Sequence, residues 1–119
     1  MTNSAHTTTD RIHVYIAGPY TNPDPVLNTR AAIKMGDTLA ELGMASYVPH
    51  LTLFWHLLFP HPVEWWYEFD LRWLERCDCL LRLPGASTGA DEEVEFALAR
   101  GIPVFYSLDE LLAYYRIRP

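Results

Sequence analysis

Apolar residues recur in two alternating rhythms along this chain: short β-branched or aromatic runs, and longer stretches with helical spacing. Residues 12–17 predict a first strand, closed by Gly18-Pro19. The following loop, 20–25, carries two prolines and an asparagine. Residues 26–42 predict a helix with Ala32, Met35, Leu39 and Leu42 on one face and Gly43 as its stop. Residues 45–48 predict a second strand, ended by Pro49. The aromatic stretch 51–60 fits either a short helix or a loop. A second long helix is expected over 62–76, opened by a proline. Strand 77–83, helix 88–100, strand 102–106 and a terminal helix 108–115 follow. This alternation predicts an α/β fold: a three-layer sandwich around a parallel sheet of four to five strands, flavodoxin- or Rossmann-like.

Two carboxylates break the apolar faces of predicted helices. Four of the fifteen acidic residues fall between positions 91 and 95, at a helix start behind a Gly/Ser/Thr loop. Asp91, Glu92 and Glu95 read as acids that complement the positive end of the helix dipole. Glu93 instead lies beside Ala90 and Ala97, bordering the arc that Val94 and Leu98 complete. In helix 62–76, Asp70 falls in the middle of an arc made by Val63, Trp66, Tyr67, Phe69, Trp73 and Leu74. Glu64, Glu68, Arg72 and Glu75 point away from it. A carboxylate so placed loses hydration and must be hydrogen-bonded, paired or protonated. A structural aspartate bonding loop amides satisfies that demand as well as a catalytic one does. Two inward-facing acids on neighbouring helices suit chemistry at an anomeric carbon, where one attacks and the other handles protons or anchors hydroxyls.

Composition narrows the classes further. A chain of 119 residues, half of them hydrophobic, has room for one modest core, expected over residues 11–119 behind a disordered polar tail, 1–10. The net charge of −6 argues against binding a nucleic-acid polymer, which needs a basic surface. Cys77 and Cys79 stand two apart in a predicted strand, and neither a disulfide nor a metal pair between them is expected. A reducing, cytoplasmic setting fits. No apolar run reaches membrane-spanning length and the first ten residues lack the features of a signal peptide, so no membrane partner is expected.

Three motifs, Tyr15-Ile16-Ala17-Gly18-Pro19, Asp70-Leu71-x-Trp73-Leu74-x-x-Cys77-Asp78 and Ser87-x-Gly89-x-x-x-Glu93, occur in that order. Together they resemble the nucleoside 2-deoxyribosyltransferase superfamily, which includes base-exchanging transferases and deoxynucleoside 5′-monophosphate N-hydrolases. The likeness runs over most of 12–106. It implies Glu93 as a nucleophile forming a glycosyl ester with C1′, and Asp70 as the acid that holds sugar hydroxyls and assists proton transfer to the departing base. It implies Tyr15 beside the nucleophile, and Gly18, Pro19 and Tyr20 in the loop under the sugar. Ser87, Thr88 and Gly89 would form the loop at the substrate's 5′ end. The base-exchanging enzymes commonly carry an aspartate where this chain has Ser87. A serine hydroxyl and helix N-terminal amides would accept a 5′-phosphate that an aspartate repels, although Ser87 or Thr88 also suits a plain helix cap. Arg30 is the cation expected near that end. The resemblance implies a nucleoside or nucleotide substrate, with an acceptor base in the transferase case, and no cofactor.

The remaining signals are weaker. His50 ends the second strand on the side where ligands bind in parallel sheets, within reach of a base, although a solvent-facing or structural histidine is the commoner outcome. His56 and His61 show no ligand spacing with an acid or cysteine, so no metal site is expected. Phe54, Trp55, Trp65 and Trp66 read by default as core. Adjacent tryptophans cannot both face one core, and Trp65 is the one expected to cover a subunit contact or site lid. With Tyr114 and Tyr115 also in excess of one core, a homodimer or higher homo-oligomer is expected. Against an enzyme stands a non-catalytic nucleotide-binding or sensing module on the same fold, which would need neither Glu93 nor Asp70. A flavodoxin-like redox or signalling domain is more remote, because Gly18-Pro19 stands where a flavin phosphate loop or phosphoacceptor aspartate belongs.

Overall fold

Strand order follows from where each apolar run finds cover. A computed structural model describes residues 12–119. The expected tail, 1–10, lies outside those residues. Strands β1 (His13–Ala17), β2 (Ala45–Tyr47), β3 (Cys79–Arg82) and β4 (Val104–Phe105) form one parallel sheet in the order β2-β1-β3-β4. Val14 and Tyr15 pair with Ser46 and Tyr47 on one side of β1, and Tyr15 and Ile16 with Leu80 and Leu81 on the other. Four strands form among the described residues, at the lower end of the expected four to five. The expected strands 77–83 and 102–106 are trimmed at both ends, because residues 77–78 form a bend leaving the preceding helix and Pro103 has no N–H for a ladder.

Alternate residues of the central strands bury opposite ways. Val14, Ile16, Cys79 and Leu81 pack under helices α1 (Pro25–Glu41) and α5 (Leu108–Tyr115). Tyr15, Ala17 and Leu80 pack under α3 (Val63–Leu74) and α4 (Thr88–Ala99). The result is the three-layer, Rossmann-like α/β sandwich that the sequence pattern predicts. Cys79 is in the first core, whereas Cys77, in the bend before β3 and not in the strand itself, borders the second.

Caps set the helix starts. Asp24 accepts from the amides of Val26 and Leu27, with Pro25 in the first turn of α1. Ser87 accepts from the Ala90 amide at 3.1 Å and opens α4, and Ser107 does the same for α5. A 3₁₀ turn (Pro49–Leu51) leads into the stretch 51–60, which forms a short helix, α2 (Thr52–Leu58). That helix buries none of its residues, which overturns the default reading of Phe54 as core: it is 69% exposed. The arcs drawn on the other helices are also narrower than expected. Leu98, Val63 and Trp73 are exposed, because α3 and α4 each meet the sheet along a limited stripe. No described helix is long and apolar enough to cross a membrane.

Candidate active site

The strand order reverses direction between β1 and β3, and the loops leaving the carboxyl ends of these strands diverge there into a crevice. A cavity of about 630 Å³ occupies it. Its floor is the Gly18-Pro19 turn and the loop before α4, and α2 and α3 wall it on the far side. Backbone proximity holds the floor together. A Cβ on Gly18 would lie 3.1 Å from the Leu83 side chain, and one on Gly85 only 2.7 Å from Pro19 Cγ. Gly85 also has φ +114°, a conformation open to glycine and costly for other residues. Asn28 on α1 donates to the carbonyls of Tyr20 and Asn22 and fixes the adjoining loop.

Asp70 and Glu93 both reach this cavity, each 9% exposed. Helical periodicity put them there: each replaces an apolar residue on the buried stripe of its helix. Each carboxyl receives a phenol. Tyr15 Oη donates to Glu93 Oε2 at 2.5 Å, and Tyr47 Oη donates to Asp70 Oδ1 at 3.0 Å. The two phenol rings stack 5.5 Å apart, and Tyr47 stacks in turn on Trp73 at 5.6 Å. Loss of hydration raises Glu93 to about 7, opposed by the Tyr15 hydrogen bond, reinforced by the charge of Asp70 and relieved in part by Arg82. Loss of hydration raises Asp70 to about 7 as well, opposed by the Tyr47 bond. Tyr15 and Tyr47 are both pushed well up, first by burial and then by these same carboxylates, so both phenols remain donors. Two acids poised near neutrality in one cavity can divide the roles of nucleophile and proton carrier.

Of the other expected site residues, Gly18, Pro19, Tyr20, Ser87, Thr88 and Gly89 all border the cavity. Ser87 does cap α4, and a Cβ on Gly89 would meet only open space. His50 borders the cavity too, and corrects the solvent-facing option. It is buried, its Nε2 bonds the Pro19 carbonyl at 2.9 Å, and its Nδ1 is sealed off with no partner among the described residues. Burial lowers its pKa, so the ring is a neutral latch on the Pro19 loop. Arg30 does not line the cavity, and no lysine or arginine does among the described residues.

Four residues of this region, Tyr47, Arg82, His56 and Trp66, had no site role in the sequence analysis. Tyr47 gave no signal beyond its place in a strand. Arg82, at the end of β3, buries its guanidinium and donates to the carbonyls of Leu83 and Gly85 and to Asp91 Oδ1 at 2.9 Å. Asp91 is therefore an ion-pair partner as well as a helix-start acid. His56 and Trp66 form part of the outer wall, and the Trp66 indole N–H donates to His56 Nδ1 at 2.7 Å. Neighbouring Trp65 is 37% exposed and stacks against His61 at 3.7 Å.

An open parallel sheet with helices on both faces and paired, buried carboxyls at its switch point defines a Rossmann-like domain with a built ligand site. Residues 12–106 match the family described as "Domain of unknown function (DUF4406)", and the chain belongs to that family. Among solved structures it is similar to the 2-deoxyribosyltransferase of the psychrotolerant bacterium Bacillus psychrosaccharolyticus. The identity is 22% and the TM-score 0.60, covering 77% of this chain and 69% of that one, a likeness of fold. No curated protein matches the chain.

Proposed function

We propose that this protein cleaves the N-glycosidic bond of nucleosides through a covalent ester on Glu93. The observation that carries this reading is the pair of buried carboxyls, each held by its own phenol, in a cavity of nucleoside size. Ionised Glu93 attacks C1′ as the carbon–nitrogen bond breaks, and the bonding electrons pass to the base nitrogen. Protonated Asp70 delivers a proton to the leaving base. Tyr15 orients the attacking carboxylate. Water then gives Asp70 a proton as its oxygen attacks C1′ and releases Glu93, or a second base attacks instead. Two inversions retain the anomeric configuration. Fold similarity to a 2-deoxyribosyltransferase supports the same reading.

The 5′ end of the substrate is better served by a free hydroxyl than by a phosphate. The Ser87 hydroxyl and the amides of Thr88 and Gly89 favour an anion, but the cavity lining offers two carboxyls and no lysine or arginine among the described residues. We assign a nucleoside, neutral at that end. Apolar surface left on α2 and around Trp65 belongs, in this reading, to a homo-oligomer.

Incubation with a panel of nucleosides and 5′-monophosphates, with and without acceptor bases, should release free base or form a new nucleoside. Glu93→Ala should lower turnover by at least about a thousandfold while leaving nucleoside binding within a few-fold. Retention of a substantial rate would remove Glu93 from the chemistry. Binding without any turnover by the wild-type chain would favour the non-catalytic nucleotide-binding module.

A further inference from the structure

His56 sits on α2, outside every motif that carries the two acids, yet it lines their cavity. Its Nδ1 accepts two hydrogen bonds, from the Trp66 indole N–H at 2.7 Å and from the His61 backbone N–H at 3.2 Å. Both partners can only donate, so the neutral imidazole carries its one proton on Nε2. The ring is held in place by edge-to-face contact with Trp66, whose own ring meets those of Trp55, Trp65, His61 and Phe69. Among the described residues nothing accepts from Nε2.

We infer that His56 is a tautomer-locked N–H donor that recognises an acceptor atom, a carbonyl oxygen or pyridine-type nitrogen, on the base of the bound nucleoside. The inference rests on the nucleoside reading above and deepens it. Glu93 and Asp70 are tied to Tyr15 and Tyr47 of the central strands and act at the sugar, which leaves α2 and the first turns of α3 for the base. That wall is aromatic: Trp66 and Tyr67 of α3 supply flat apolar surface, and His56 supplies a directional donor beside it. A site of this kind discriminates by chemistry rather than size, because a base lacking the acceptor covers the N–H and leaves it unpaired. The Trp66 contact thus has a second consequence: it decides which ring nitrogen faces the ligand.

Two measurements on the full chain test this. Nitrogen-15 chemical shifts of the histidines in the wild-type protein should show His56 with an unprotonated Nδ1 and a protonated Nε2 at mildly alkaline pH, and a protonated Nδ1 would overturn the assignment. Binding is then compared for two C-nucleosides that no N-glycosidase can cleave: 2′-deoxypseudouridine, whose base carries carbonyls, and 1-phenyl-1,2-dideoxyribose, whose carbon-linked phenyl ring carries no acceptor. His56→Phe should weaken the first by about tenfold and leave the second within about twofold, the cost of one directional hydrogen bond. Equal loss on both, or loss on neither, would mean that His56 merely packs against Trp66. If the wild-type chain binds neither C-nucleoside, the nucleoside reading fails, and the base-recognition role of His56 with it. The nitrogen shifts are read without ligand and stand apart from that outcome.

Discussion

At the residue scale, the central fact is that neither acid is bare. The Tyr47 hydrogen bond stabilises ionised Asp70 against the burial that raises it to about 7, and Tyr15 does the same for Glu93. In the proposed reaction Glu93 works ionised and Asp70 protonated, so turnover should follow a bell with both limbs near neutrality, the limbs belonging to the pair. Tyr47→Phe keeps the ring between Tyr15 and Trp73 and deletes only the hydroxyl. Asp70 then rises further, and the alkaline limb of kcat/KM should move to higher pH, with a loss of about tenfold at the optimum. Asp70→Asn should cost orders of magnitude, and adding Tyr47→Phe to it should change little more. Independent, additive effects would reduce Tyr47 to a packing residue. Both acids were legible in the sequence because a charged side chain on an apolar helical stripe is conspicuous at a period of about 3.6. Tyr47, Arg82 and His56 were not, because their partners lie on other elements and no local rhythm encodes a tertiary hydrogen bond.

At the scale of elements, the loop between β3 and α4 is fixed by contact rather than by its own composition. Arg82 ties it from beneath, joining the Leu83 and Gly85 carbonyls to the first turn of α4 through Asp91. Gly85 presses against Pro19, so the two loops that floor the cavity share one close approach. Gly85→Ala must adopt φ +114° and displace Pro19, and should lower unfolding free energy by about 1–3 kcal/mol. Gly89→Ala, whose Cβ enters open space in a helical turn, should leave stability unchanged or slightly higher. Urea denaturation of both variants checks the pair, and equal stability would show that the Gly85–Pro19 approach is not strained by a side chain. The sequence marked this stretch as a Gly/Ser/Thr loop before a helix. It could not mark Arg82 as the brace, since an arginine ending a strand is ordinarily a solvated one.

Across the whole molecule, burial of the acids links stability to pH. Both carboxyls bind protons more tightly in the folded chain, where they titrate at about 7, than in the unfolded chain. Folding therefore takes up protons, and this contribution to stability is complete below about pH 4 and declines as pH rises to about 7. Glu93→Gln should flatten the decline, which urea midpoints at mildly acidic and neutral pH would register; an unchanged slope would place Glu93 in a wetter setting. The same scale holds the unpartnered surface. Phe54, Leu57 and Phe59 are each about two-thirds exposed, on or beside a helix that buries nothing, in a stretch without a charged residue from 51 to 63. So much uncharged apolar surface calls for a partner, and a second copy is the one we assign. Light scattering at micromolar concentration should give a dimer or larger, and a monomer would reject it. The sequence by itself determined the order of strands and helices, the parallel sheet and the two acids, because each is written in local periodicity. Only the tertiary structure decided which phenol serves which acid, which tautomer His56 adopts, that His50 is a latch, and that α2 stays uncovered. Those depend on pairs of residues distant along the chain, brought within about 3 Å only when the layers close.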